Sequence, residues 1–196
     1  MEAGGGSREA EAQMAADAEL MRRVQDGDEA AFGALMETWE VPVKRLLARI
    51  VVNAGEAEEL AQETFVRVWQ QREKFRDGAA VRPWVFSIAV NLARNRLRWW
   101  RRRPSVSLQE WDETPEAGDR SQETGTAALE MAERAVAVRE AVAGLPVELR
   151  EAIVLFEYEE MSHAEIAVAV GASAKAVESR VARAREKLRV ALKRWV

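Results

Sequence analysis

Cysteine is absent from the 196-residue chain, and histidine occurs once, at His163. The first absence excludes disulfides, thiolate nucleophiles and cysteine-held zinc. The second leaves a metal site to carboxylates alone and makes any Ser-His-Asp arrangement rest on one residue. No catalytic residue and no cofactor are expected, and the chain reads as a non-enzyme. Long apolar runs are also missing: none approaches the ~20 residues that cross a bilayer. The N-terminus has no basic-then-apolar export pattern, so a cytoplasmic protein without membrane insertion is expected. Glycine (11) and proline (5) are scarce, while Ala, Glu, Arg, Leu and Val dominate, a mixture that favours helices over strands.

Charge is plentiful, and its distribution says more than its sum. The formal net charge is −4, which by itself argues against nucleic acid. From Asn91 to Pro104, however, six arginines (94, 96, 98, 101, 102, 103) stand with no acid. From Ala174 to Val196, eight basic residues face only Glu178 and Glu186. Between them, from Leu108 to Glu133, eight acids face only Arg120. Local fields decide what docks where, and here two basic surfaces flank an acidic connector.

Periodicity divides the chain into an all-α pair of small domains. Residues 1–16 are polar and Gly/Ala-rich and read as a disordered tail, since Gly4-Gly5-Gly6 holds a helix poorly. Residues 17–103 read as a bundle of about four helices. Leu20, Val24, Phe32, Leu35, Met36 and Trp39 recur at spacings of three and four. Pro42 is expected to mark a boundary or kink, and Asn53-Ala54-Gly55 a turn. Arg76–Ala80 reads as a loop, and Pro83 suits the first turn of a helix from about Trp84 to Trp100. Residues 104–126 carry Pro, Ser, Thr, Gly and acids without periodicity, as a flexible linker kept extended by like charges does. Residues 127–196 form the second domain, with Gly144 stopping its first helix and Pro146 opening the next.

The strongest local signal runs from Met161 to Arg189. Ser162-His163-Ala164-Glu165 fits a capping box, and Gly171-Ala172-Ser173 supplies a tight turn whose serine caps the next helix. That helix buries Val177, Val181 and Ala184 and carries Lys175, Ser179, Arg180, Arg183 and Arg185 on its other faces. Two helices joined by three residues, the second rich in arginine, make a helix-turn-helix reader of the major groove. A basic helix that merely closes a bundle is the alternative. His163 reads as a solvated helix-start residue.

Two faces of the first domain carry further chemistry. Glu59, Gln62 and Glu63 fall three and four apart on one helix, giving an acidic-amide face that suits a basic protein partner or is simply solvated. Asn91, Arg94, Asn95 and Arg98 form one polar edge able to bond bases and phosphates. Trp84, Trp99 and Trp100 can stack on bases or pack; core is the better reading for Trp84, and the pair fits either.

Taken in order, these segments resemble the extracytoplasmic-function group of the sigma-70 family, over roughly 18–103 and 129–196. Asp17-Ala18-Glu19-Leu20 and Gly27-Asp28-Glu29-Ala30-Ala31-Phe32 resemble the opening of the family's second conserved region. Ala57-Glu58-Glu59-Leu60-Ala61-Gln62-Glu63-Thr64-Phe65 is similar to its polymerase-binding helix. Arg82-Pro83-Trp84-Val85-Phe86-Ser87-Ile88-Ala89-Val90-Asn91 resembles its −10 recognition helix. Leu145-Pro146, Ile166-Ala167 and Val177–Arg185 resemble its fourth region.

The resemblance implies a transcription-initiation factor with no chemistry of its own. Glu59, Leu60, Gln62, Glu63 and Phe65 would dock on the clamp helices of the largest subunit of core RNA polymerase. Arg76, Asn91, Arg94, Asn95 and Arg98 would hold the −10 element of promoter DNA. Lys175, Ser179, Arg180, Arg183 and Arg185 would contact the −35 duplex, and an anti-sigma factor is the expected regulator. Three positions depart from the pattern. Glu178 stands where many relatives have a base, and either accepts from a cytosine or orients Arg180. Trp39 replaces an expected tyrosine, as core, and the Trp99-Trp100 pair is unusual. The rival readings are a conventional helix-turn-helix regulator that binds DNA without core polymerase and a helical protein adaptor.

Overall fold

The computed structural model describes residues 5–102 and 126–195, with side chains defined over 11–102 and 130–195. Among the described residues there are eight α-helices and no strand. The first bundle comprises α1 (Gly5–Gln25), α2 (Glu29–Val51), α3 (Ala54–Gln70) and α4 (Val81–Arg102). The second comprises α5 (Thr126–Ala143), α6 (Val147–Glu157), α7 (His163–Val170) and α8 (Ala174–Ala191). The acidic linker expected over 104–126 lies outside the described residues, apart from the first residue of α5.

Helix starts follow local chemistry. Asp28 caps α2, accepting from the Ala31 N–H at 3.0 Å while its second oxygen takes a fork from Arg23 at 2.9 and 2.6 Å. Asn53 caps α3, accepting from the Glu56 N–H at 2.9 Å. Side-chain oxygens at this position satisfy N–H groups that the helix itself leaves unpaired. Between these two helices the chain reverses at Val52, whose φ of 60° is left-handed, a place where glycine is usual.

Two expectations are corrected here. The tail read over 1–16 is helical from Gly5 onward, because the Ala-, Glu- and Gln-rich sequence after the glycines favours helix. Asp17, at the edge of that stretch, is buried. Pro42 neither ends nor divides α2, which runs through it from Glu29 to Val51. Leu35, Trp39, Val43, Leu46, Leu47 and Ile50 are buried on both sides of the proline, and their packing outweighs one missing backbone hydrogen bond. Trp39 is a core residue, its ring edge-on to Phe86.

In the second bundle Pro146 caps α6. Ser162 and Glu165 close the capping box: the serine hydroxyl accepts from the Glu165 N–H, and the Glu165 carboxylate accepts from the Ser162 N–H. Gly171 turns the chain at φ 65°, and Ser173 caps α8. The turn is tight enough that α7 and α8 form the helix-turn-helix read from the sequence.

The two bundles are not held apart. α4 lies against α7, and α2 against α5 and α6, so that one buried apolar cluster runs from Met21 to Ala184. That contact determines which of the charged side chains remain available.

Candidate nucleic-acid interface

α8 presents its basic residues in two groups. Val177, Val181 and Ala184 are buried, which fixes the rotation of the helix and turns Lys175, Ser179 and Arg183 outward. Lys175 reaches Glu178 at 3.2 Å on the same helix. Among the described residues Arg183 donates to the Ser179 carbonyl oxygen alone, at 3.3 Å, which leaves most of its guanidinium exposed. Arg180 and Arg185, expected among the −35 contacts, reach toward α6. Arg180 is mostly covered and lies 3.5 Å from Glu148. Arg185 donates to Glu157 at 2.9 Å and sits over the Phe156 ring. Glu178 is paired with Lys175 on its own helix.

His163 is half-buried rather than solvated. Its ring stacks on Phe156, centroids 5.1 Å apart, because an imidazole at the start of α7 falls next to the apolar end of α6.

The arginine run at the end of α4 is divided among three surroundings. Arg98 is exposed, donating to the Asn95 side chain at 2.6 Å, and Asn91 and Asn95 are exposed beside it. Arg96 turns toward α3, where it pairs with Glu56 and, at 3.5 Å, with Glu59. Arg94 turns the other way, into the contact with the second bundle. It donates a two-pronged fork to Glu151, Nε to Oε1 at 2.8 Å and Nη2 to Oε2 at 2.6 Å. Its remaining nitrogen donates to the Val170 carbonyl at 3.0 Å. Arg94 is therefore not on an open edge with Asn91, Asn95 and Arg98, as the helical spacing alone had suggested.

Glu151 is completely buried. Burial pushes its carboxyl above the usual range, and the hydrogen bonds and charge of Arg94 pull against that rise. Arg94 in turn is raised, chiefly by its hydrogen bonds to Glu151. Three further side chains make polar contacts across the same boundary. Arg82 donates to the Glu159 backbone carbonyl and approaches its carboxylate at 3.7 Å, with Arg49 at 3.8 Å. Arg150 donates to the Ile50 carbonyl at 2.6 Å, across the domains, and to the Leu145 carbonyl at 3.1 Å within its own. Glu151, Glu159 and Arg150 were not singled out from sequence, and Arg82 entered only as the first residue of the segment resembling the −10 helix. The available signal was a charged pair, Arg150-Glu151, inside the otherwise apolar stretch of α6.

Across the first bundle, Arg76 is exposed in the loop before α4, where Gly78 takes a left-handed φ of 76°. Trp84 packs against Phe75 beneath that loop, in keeping with a core role. On α3, Glu59 and Gln62 are exposed and Glu63 is half-exposed, paired with Arg67 at 2.9 Å. They line a shallow groove with Val66, Arg67 and Gln70. Leu60 and Phe65, expected in the same docking set, are buried; they lie on the opposite side of α3 and anchor it to the bundle. Among the described residues no cluster of His, Cys, Asp and Glu could hold a metal, and no helix is long and apolar enough to cross a membrane.

Comparison with known proteins covers both bundles. Residues 35–103 match the family model for Sigma-70 region 2, and residues 135–188 that for Sigma-70, region 4. The RNA polymerase sigma-H factor of Pseudomonas aeruginosa is 34% identical over 188 residues, covering 90% of this chain and 93% of the relative. The ECF RNA polymerase sigma-E factor of Haemophilus influenzae is 34% identical over 179 residues, covering 89% and 94%. Among solved structures, CnrH in complex with the cytosolic domain of CnrY superposes with a TM-score of 0.68 at 28% identity, covering 92% of this chain and 99% of that one. RpoE of Bartonella quintana, solved with the anti-sigma factor NepR, shares the fold with a TM-score of 0.64 at 23% identity, covering 83% and 96%.

Proposed function

The chain belongs to the extracytoplasmic-function group of the sigma-70 family of RNA polymerase sigma factors, and from that premise we propose how its surfaces share the work. As a sigma factor it joins core polymerase and directs transcription initiation from chosen promoters. Glu59, Gln62 and Glu63 dock on the clamp helices of the largest subunit, with Leu60 and Phe65 holding α3 rigid beneath them. Asn91, Asn95 and Arg98, with the Arg76 loop, engage the −10 element, and Arg94 joins them once Glu151 lets go. Lys175, Ser179 and Arg183 contact the −35 duplex, while Arg180 and Arg185 keep α8 seated on α6. The protein works in the cytoplasm, where the polymerase is. An anti-sigma factor is its regulatory partner, by likeness to CnrH, which was solved with a second protein bound.

The observation that carries this division is the exposure of two separate surfaces, on α3 and α8, that the packing of the domains leaves uncovered. Alone, each is a weak binder. Core polymerase fixes their separation and makes one bivalent reader of them. Unstacking −10 bases costs a few kcal/mol for each base flipped out, and captured bases and polymerase contacts offset that cost. The test is run-off transcription with purified core polymerase over a promoter library, with Glu63→Arg as the discriminating variant. It should weaken holoenzyme assembly about tenfold or more, ~1.4 kcal/mol, and leave DNA binding by the chain unchanged. Normal assembly by that variant removes the α3 docking assignment. A chain that binds a duplex site alone and leaves core polymerase inactive is instead a conventional regulator.

A further inference from the structure

Glu151 is out of place by composition. It lies in α6 among Leu149, Ala152, Ile153, Val154 and Leu155, all buried, and is itself fully buried. A carboxylate in such surroundings is costly unless it is paired. The hydrogen-bonding partner of its side chain is Arg94, and Arg94 belongs to the other domain. The geometry is the two-pronged fork with which arginine grips carboxylates and phosphates alike.

We propose that Glu151 stands in for a nucleic-acid phosphate. In the free chain it holds Arg94 and, with the cluster around Glu159, latches the two domains together, so that Arg94 reaches promoter DNA only after they separate. The assignment of Arg94 to the −10 element comes from the reading above, and the latch deepens it. The ion pairs across the boundary have a consistent polarity, while Arg150 crosses the other way to a backbone carbonyl. Arg94 from α4 goes to Glu151, and Arg82 from α4 and Arg49 from α2 converge on Glu159 just beyond α6. Arg49 also lies over the Tyr158 ring, 4.3 Å from its centroid. The first domain supplies cations and the second supplies acids, the pairing that DNA would replace.

The third bond of Arg94, to the Val170 carbonyl, ends beside Gly171 at the turn of the helix-turn-helix. One side chain thus ties the −10 helix to the −35 reader. Asn91, Asn95 and Arg98 stay outside the contact, so the closed chain loses the centre of its −10 edge and keeps the rim. Closure lowers DNA affinity by the fraction of chains that are shut.

Small-angle X-ray scattering and binding of a short, labelled, mixed-sequence single-stranded DNA test this on the full chain. The variants are Glu151→Ala and Glu159→Ala, and Glu133→Ala, exposed on α5, carries the same charge change as control. Both latch variants should expand the chain and tighten DNA binding about fivefold or more, and the control should do neither. A cooperative thermal melt identifies a folded variant. If Glu151→Ala unfolds the second domain, Glu159→Ala, away from Arg94, carries the test alone. Wild-type scattering that matches separated domains overturns the latch, as does expansion without a gain in affinity. Arg94→Ala assayed in assembled holoenzyme probes the −10 assignment separately: normal promoter opening there removes that assignment and says nothing about compaction.

Discussion

At the scale of single residues, the meaning of an arginine is set by what stands within reach of its fork. Arg183 and Arg185 are two positions apart on α8 and carry the same side chain. Arg185 is committed to Glu157 and the Phe156 ring, and Arg183 is not. Arg183→Ala should therefore cost the holoenzyme ~1–3 kcal/mol at its preferred −35 sequence and relax specificity there. Arg185→Ala should change thermal stability slightly, as an exposed ion pair does, with −35 preference intact. Transcription from −35 variants with both proteins separates the two; equal loss on every sequence by Arg183→Ala would mean a phosphate contact only. The exposure of Asn91, Asn95, Arg98, Lys175, Ser179 and Arg183 was legible because helical periodicity shows which face is apolar. The pairing of Arg94, Arg180 and Arg185 was not legible, for one physical reason. Periodicity reports the face of a residue's own helix and is silent about acids arriving from another element. Leu60 and Phe65 illustrate the converse, since residues inside a functional motif can serve it by packing.

At the scale of elements, boundaries written in capping chemistry were readable and those set by tertiary packing were not. Ser162, Gly171, Ser173 and Pro146 each act within a few residues of themselves, and each marks the expected helix end. Pro42 misled because a proline's local cost is outweighed by the buried residues on either side of it. The cost remains, however. Proline inside a helix forgoes a backbone hydrogen bond and crowds the preceding turn, at ~3 kcal/mol in an exposed helix. Since α2 is continuous through position 42, Pro42→Ala should stabilise the chain by about 1–3 kcal/mol. At roughly 2–4 °C for each kcal/mol in a chain of this size, the melting temperature followed by circular dichroism should rise by several degrees. A fall instead would show that the first bundle is packed around a bend in α2.

At the scale of the whole molecule, the two domains share a boundary that contains buried carboxylates, and this ties their separation to protons. Glu151 faces Arg94, with Glu148 and Arg180 nearby; Glu159 faces Arg82, Arg49 and Arg45. In both, burial is the largest influence and raises the carboxyl above its ordinary value, with the arginines opposing. Separation would return both groups to water and to ordinary carboxylate behaviour. A carboxyl whose value is raised in the closed form binds protons more tightly there than in the open form. Its contribution thus favours closure in acid and is lost as pH rises through the raised value. A protonated carboxyl still accepts from the arginines through its carbonyl oxygen, as alanine cannot, so acidification from neutral pH should draw the free chain toward its compact form, read as a smaller radius of gyration. Glu159→Gln, neutral at every pH, should flatten that dependence. A radius that does not change with pH, or that grows on mild acidification while helicity is retained, would show that the arginines outweigh burial at this boundary. The same chain would then be opened, not closed, by acid.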